Sequence, residues 1–121
     1  MINIDQWSVE HETDKALEFI DSNKENSFAL ILSWNPPHTP LDLVPDGYVE
    51  MYRGKKFKVN ENVLLTDITD HTGSVNPRLN FTDEEYQEIM RKYFAAVTGV
   101  DDNFGSCLLY TSPSPRDPKT S

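Results

Sequence analysis

The sequence predicts an α/β fold with a mostly parallel sheet, and three observations support this prediction. A helical repeat over residues 9–20 precedes a continuous apolar run at 28–34, and a second, longer helical repeat covers residues 83–104. Apolar runs without polar alternation are typical of parallel strands, because both faces of such sheets are covered. Helices that accompany strands of this kind are the usual units of α/β folds.

The first helix is predicted from an apolar face that repeats at helical spacing. Ser8 has the residue type of an N-cap, and the acidic side chains that follow it suit the positive end of a helix dipole. The polar segment 21–26 ends the repeat. The residues of the apolar face are Val9, Thr13, Ala16, Leu17 and Ile20.

The predicted buried strand, residues 27–34, leads into a loop that contains His38. Pro36 and Pro37 cannot donate to a sheet ladder, so the strand must end before them. In open α/β sheets, ligands bind beyond the carboxyl ends of the strands. His38 is therefore the candidate functional residue. Without further information, the alternative is that His38 is an ordinary surface histidine with no role in function.

A long, mostly irregular segment, residues 35–81, separates the strand from the second helix. A short helical turn is expected within it at Val49, Met51 and Tyr52. Loops of this length are functional or lack part of their structural context. A possible metal site within this segment consists of Asp67, Asp70 and His71, whose side chains are of types that bind metal ions. The alternative is a solvated polar loop, because the sequence fixes no further ligand nearby.

A second helix is predicted over residues 83–104. Thr82 and Glu85 have the spacing of a capping box, in which each side chain binds the other residue's backbone N–H. Gly99 lies inside the helix at a cost of about 1 kcal/mol relative to alanine, which indicates close packing there. The large apolar side chains of this helix are expected to form the core; they include Tyr93, Phe94, Val97 and Phe104.

Composition limits the classes of function. The net charge of −9, from 11 basic and 20 acidic residues, disfavours nucleic acid as a partner. No apolar run reaches the ~18 residues that a membrane span needs. The single cysteine, Cys107, excludes an internal disulfide and a paired-cysteine metal site. The basic segment 53–58 is either a solvated loop or a contact for an anionic ligand.

Residues 107–121 differ from the rest of the chain. The stretch from Cys107 to Asp117 looks like the in-frame translation of a sequencing adapter, and it is rich in serine and proline. We therefore expect a disordered, non-native tail at 107–121, with the native sequence ending near Ser106.

Three blocks of sequence together resemble the sulfatases of the alkaline-phosphatase-like superfamily. The first is the apolar run followed by Asn35-Pro36-Pro37-His38-Thr39-Pro40, and the second is Val44-Pro45-Asp46-Gly47-Tyr48. The third block runs from Tyr93 to Gly105, and the resemblance covers nearly all of residues 5–105.

This resemblance implies hydrolysis of sulfate esters by a formylglycine nucleophile and a calcium ion. It assigns His38 to contact with the sulfate group, as a catalytic and substrate-binding residue. The Cys/Ser-x-Pro-x-Arg motif that gives rise to formylglycine is absent, as are the expected calcium ligands and a later lysine. Residues 1–106 are therefore expected to be an internal fragment of a sulfatase catalytic domain, inactive alone and without metal ligands of its own.

Alternatives remain at this stage. A phosphodiesterase or phosphonate hydrolase would share the fold, and a small non-catalytic binding protein belongs to another class. The expected substrate is a small-molecule or carbohydrate sulfate ester, which the sequence does not specify further. Localisation and oligomeric state are open, although many sulfatases are periplasmic or secreted.

Overall fold

Three helices make up the regular structure of this computed structural model, which describes residues 5–58 and 82–111. They are α1 (Ser8–Asn23), α2 (Asp46–Glu50) and α3 (Asp83–Thr111). Both α1 and α2 pack against α3, so the longest helix supports the other two. Within the described residues, no helix has the length and apolarity needed to cross a membrane.

The prediction of a parallel α/β sheet is wrong for the part of the chain that the structure describes. No strand occurs in residues 5–58 or 82–111, and the predicted strand at 27–34 has no regular structure. It lies beside α1 instead, where the rings of Phe28 and Phe19 meet edge to face at 5.5 Å between centroids. Ile31 is 94% exposed. An apolar run shows that a segment would gain from burial, but a strand also requires a neighbouring strand, and no described segment supplies one.

Helix α1 follows the predicted bounds closely, but its cap differs. Its buried residues are Val9, Thr13 and Ala16, which belong to the predicted apolar face. Ser8 is already helical, so it is not the N-cap as predicted. Trp7 occupies that position and makes no capping hydrogen bond through its side chain.

The capping box predicted at the start of α3 is confirmed. The Glu85 amide donates to Thr82 Oγ1 at 3.2 Å, and the Thr82 amide donates to Glu85 Oε2 at 2.8 Å. The helix continues past its predicted end at 104 to Thr111, so residues 107–111 are helical. The predicted boundary at 106 therefore falls inside α3, and residues 112–121 lie outside the described part of the chain.

The core is built on the small residues of α3. Ala95, Ala96 and Gly99 are buried where α1 and α2 approach the helix. The prediction that the large apolar side chains of α3 form the core is wrong for four of them, which stay partly exposed, whereas Val100 of the same predicted stripe packs against the core. Small residues let the neighbouring backbones come close, which leaves the larger side chains on the outer face. The exposed side chains are Tyr93, Phe94, Val97 and Phe104, at 37–48%.

Helix α2 corresponds to the short helical turn predicted near residues 49–52, and two tyrosines attach it to α3. Tyr48 Oη donates to Asp102 Oδ2 at 2.8 Å, and Tyr52 Oη lies 2.5 Å from Thr98 Oγ1. These bonds place the chain that precedes α2, including the loop with His38, at a defined position relative to α3.

Candidate functional site

His38 lies on a tight turn directly after the apolar segment. The His38 amide donates to the Asn35 carbonyl at 3.1 Å, which closes the turn. The Pro36–Pro37 and Thr39–Pro40 peptide bonds are cis. The imidazole is exposed and therefore open to a ligand.

A hydrogen bond to the backbone defines the tautomer of His38. Its Nδ1 lies 2.8 Å from the Thr39 carbonyl oxygen. A carbonyl oxygen can only accept, so Nδ1 must carry the proton. The other ring nitrogen, Nε2, then accepts a hydrogen bond when the ring is neutral and donates one when the ring is an imidazolium.

His38 lines a cavity of about 380 Å³ that has two walls. One wall is the loop that carries His38, and the other is the chain entering α1 together with the first residue of the helix. The first wall consists of Asn35, Pro36, His38, Pro40 and Leu43, and the second of Asp5, Gln6, Trp7 and Ser8.

The start of α1 contributes partial positive charge to the second wall. Because no side chain caps the helix, its first-turn N–H groups have no partner of the capping type. The helix dipole adds partial positive charge at the same end. Helix N-termini of this kind suit tetrahedral anions. Asp5 lines the same cavity and Glu10 lies in the first turn, so two carboxylates oppose this effect.

Trp7 connects the cavity to α3. The indole is 8% exposed and meets the Tyr48 ring at 6.0 Å between centroids. It also covers Gly99, where an added Cβ would lie 2.6 Å from Trp7 Cζ3 and 3.2 Å from Tyr48 Cδ2. The close packing predicted at Gly99 is therefore confirmed, and it holds in place Trp7, which lines the same cavity as His38.

The second wall was not predicted from the sequence as part of a site. Residues 5–8 come about 30 positions before His38, and no local motif joins the two segments. The only feature of the sequence that pointed to this wall was Gly99, since a glycine inside a helix indicates that a bulky neighbour packs against it. It does not identify that neighbour as Trp7.

The other candidate sites do not add to this cavity. Asp67, Asp70 and His71 lie outside the described residues. In the basic segment 53–58, Arg53 pairs with Glu50, and Lys55 Nζ lies 4.8 Å from the centre of the Tyr52 ring. Among the described residues, no group of three His, Cys, Asp or Glu side chains could hold a metal ion. These residues therefore do not fit the calcium that the resemblance implies.

Comparison with known proteins finds one informative similarity. Over 108 residues, the chain is 28% identical to endo-4-O-sulfatase from Bacteroides thetaiotaomicron. The chain is therefore distantly similar to a sulfatase. The match covers 85% of this chain and 19% of the relative, so the chain spans about a fifth of the relative's length. No family model and no solved structure matches the chain.

Proposed function

We propose that this chain is part of a sulfate-ester hydrolase and that His38 contacts the sulfate group of the substrate. One observation carries the proposal: His38 and the uncapped N-terminus of α1 face the same cavity. The similarity to a sulfatase supports the class of reaction. The proposed substrate is a sulfate ester of a small molecule or a carbohydrate.

The two walls supply complementary donors for a sulfate group. As an imidazolium, His38 donates from Nε2 to a sulfate oxygen, while Nδ1 stays bonded to the Thr39 carbonyl. The amides at the start of α1 are further donors in the same cavity. Donors placed in this way stabilise negative charge that develops on the oxygens during ester cleavage. The same Nε2 proton can pass to the leaving oxygen, which is general acid catalysis.

The nucleophile and the metal belong to other parts of the proposed enzyme. We propose a formylglycine and a calcium ion that residues outside this chain supply. In such an enzyme calcium would neutralise charge on the sulfate oxygens. The present residues bind and orient the ester; alone they are expected to bind it without turnover.

The first test is ligand binding to the chain itself. In a titration with 4-nitrophenyl sulfate followed by NMR, the His38 ring and the Ser8 amide should shift together. His38→Ala should weaken binding at least about 10-fold, the loss of one charged hydrogen bond. His11→Ala is the matched control, because His11 lies on α1 outside this cavity.

The second test concerns catalysis in a longer protein that contains this chain. His38→Ala should lower kcat/KM for 4-nitrophenyl sulfate by about 10²-fold or more. Faster hydrolysis of the corresponding phosphate diester would instead identify a phosphodiesterase. Binding that survives His38→Ala unchanged would remove His38 from the proposal.

A further inference from the structure

The cavity that His38 faces has an acidic residue on its wall. Asp5 lines this cavity together with His38, and Glu10 follows in the first turn of α1. Asp5 is exposed and precedes the start of the helix at Ser8. Its carboxylate repels an anion in the cavity instead of holding it. Sulfate binding by His38 alone therefore leaves Asp5 without a role.

The charges around the cavity nearly cancel. The N-terminus of α1 contributes about +0.5 of an elementary charge, and the His38 imidazolium contributes at most one positive charge. Asp5 and Glu10 contribute one negative charge each. The sum is slightly negative, so a second negative charge on an occupant brings no further attraction.

A sulfate ester and a phosphate monoester differ in charge more than in shape. Both end in a tetrahedral group with three free oxygens. The sulfate group carries one negative charge, whereas a phosphate monoester carries a charge of about −1.5 to −2 at pH 7. Donors such as the His38 imidazolium and backbone amides bind either group. A site that separates the two ligands must therefore respond to the second charge.

We propose that Asp5 is a specificity residue, which makes this site favour singly charged sulfate esters over doubly charged phosphate monoesters. The inference rests on the proposed contact between His38 and the sulfate group. The repulsion between Asp5 and a ligand is proportional to the charge of the ligand. A phosphate diester carries a single charge, so Asp5 disfavours phosphate monoesters but not diesters.

The size of the cavity keeps Asp5 close to a bound anion. A sphere with its volume of about 380 Å³ is about 9 Å across, which is less than the Debye length of ~10 Å in 0.1 M salt. Salt therefore screens the carboxylate only in part. Removing its charge should tighten binding about 3-fold for a singly charged ligand and about 10-fold for a doubly charged one, because doubling the energy squares the ratio of dissociation constants.

The test compares two ligands of the full chain and of its Asp5→Asn variant. 4-Nitrophenyl sulfate and 4-nitrophenyl phosphate are titrated at pH 7, and binding is followed by the NMR signals of the His38 ring. Asp5→Asn keeps the size of the side chain and removes its charge, so it should tighten the sulfate about 3-fold and the phosphate about 10-fold. In about 1 M salt, where the Debye length is about 3 Å, this difference between the ligands should largely disappear. Far-UV circular dichroism checks that the variant folds.

Glu25→Gln is the matched control. It removes the same charge from an exposed residue, but Glu25 follows the other end of α1. This helix has 16 residues and is about 24 Å long, well beyond the Debye length in 0.1 M salt. Glu25→Gln should therefore leave both affinities unchanged.

The signals of His38 distinguish a failure of this inference from a failure of the proposed function. If the ring shifts with 4-nitrophenyl sulfate but Asp5→Asn tightens both ligands equally, Asp5 does not select by charge and the contact of His38 stands. Weaker sulfate binding by Asp5→Asn would show that Asp5 holds the ligand through a hydrogen bond, which also overturns the inference. No shift of His38 with either ligand would remove the proposed function and the role of Asp5 with it.

Discussion

Gly99 shows how one missing side chain connects the core to the candidate site. Its lack of a Cβ leaves room for the Trp7 indole, and Trp7 in turn lines the same cavity as His38. The sequence predicted close packing at Gly99 because a helical glycine is otherwise costly. It could not identify Trp7, since the contact depends on how α1 lies across α3.

Gly99→Ala should destabilise the chain. An added Cβ would lie 2.6 Å from Trp7 Cζ3 and 2.7 Å from Trp7 Cη2, so the ring must shift. Overpacking of this kind costs about 1–3 kcal/mol, which outweighs the gain of about 1 kcal/mol in helix propensity. Urea unfolding measures the difference.

Gly105→Ala is the control for that measurement. It lies in the same helix, but a Cβ there meets nothing within 4 Å. It should stabilise the chain by about 1 kcal/mol through helix propensity alone. Equal stabilisation by both substitutions would show that the Trp7 ring yields without cost.

Local sequence patterns predicted helix α3 well, but they wrongly predicted a strand at residues 27–34. A helix satisfies its own backbone, so the capping box of Thr82 and Glu85 and the helical repeat were enough to locate it. A strand depends on a neighbouring strand, which is often distant in the sequence. The repeat in α3 also did not reveal which face is buried, because Ala95 and Ala96 lie beside larger apolar residues.

Thr82→Ala should lower the free energy of unfolding by about 1 kcal/mol, because Thr82 Oγ1 accepts from the Glu85 amide. Thr82→Ser keeps the hydroxyl and should lose only a few tenths of that energy. Chemical unfolding followed by circular dichroism compares the two variants. An equal loss in both would mean that the threonine methyl group, not the cap, stabilises this end of α3.

At the scale of the whole molecule, α1, α2 and α3 meet where Tyr48 bonds to Asp102. Burial raises the pKa of Tyr48 to about 12, and the hydrogen bond to Asp102, the charge of Asp102 and the charge of Glu10 add to this effect. The folded chain therefore favours the neutral phenol. An unfolded tyrosine has a pKa of about 10.

Stability should fall between about pH 10 and 12 for this reason. The contribution of Tyr48 is fully present below the unfolded pKa and is lost as the pH rises through the folded pKa. Urea midpoints from pH 9 to pH 12 measure the decline, and Tyr48→Phe should make it shallower. Some dependence should remain, because the hydrogen bond to Asp21 also raises the pKa of Tyr110. An unchanged slope in Tyr48→Phe would exclude Tyr48 as the cause.

The position of Trp7 also makes it an intrinsic fluorescence probe of the cavity. Its indole is buried against α3 and borders the space that His38 faces, and the chain has only one other tryptophan, Trp34. With Trp34→Phe, the remaining emission comes from the cavity wall alone. Quenching by iodide and the wavelength of maximum emission would then register an occupant of the cavity without any attached label.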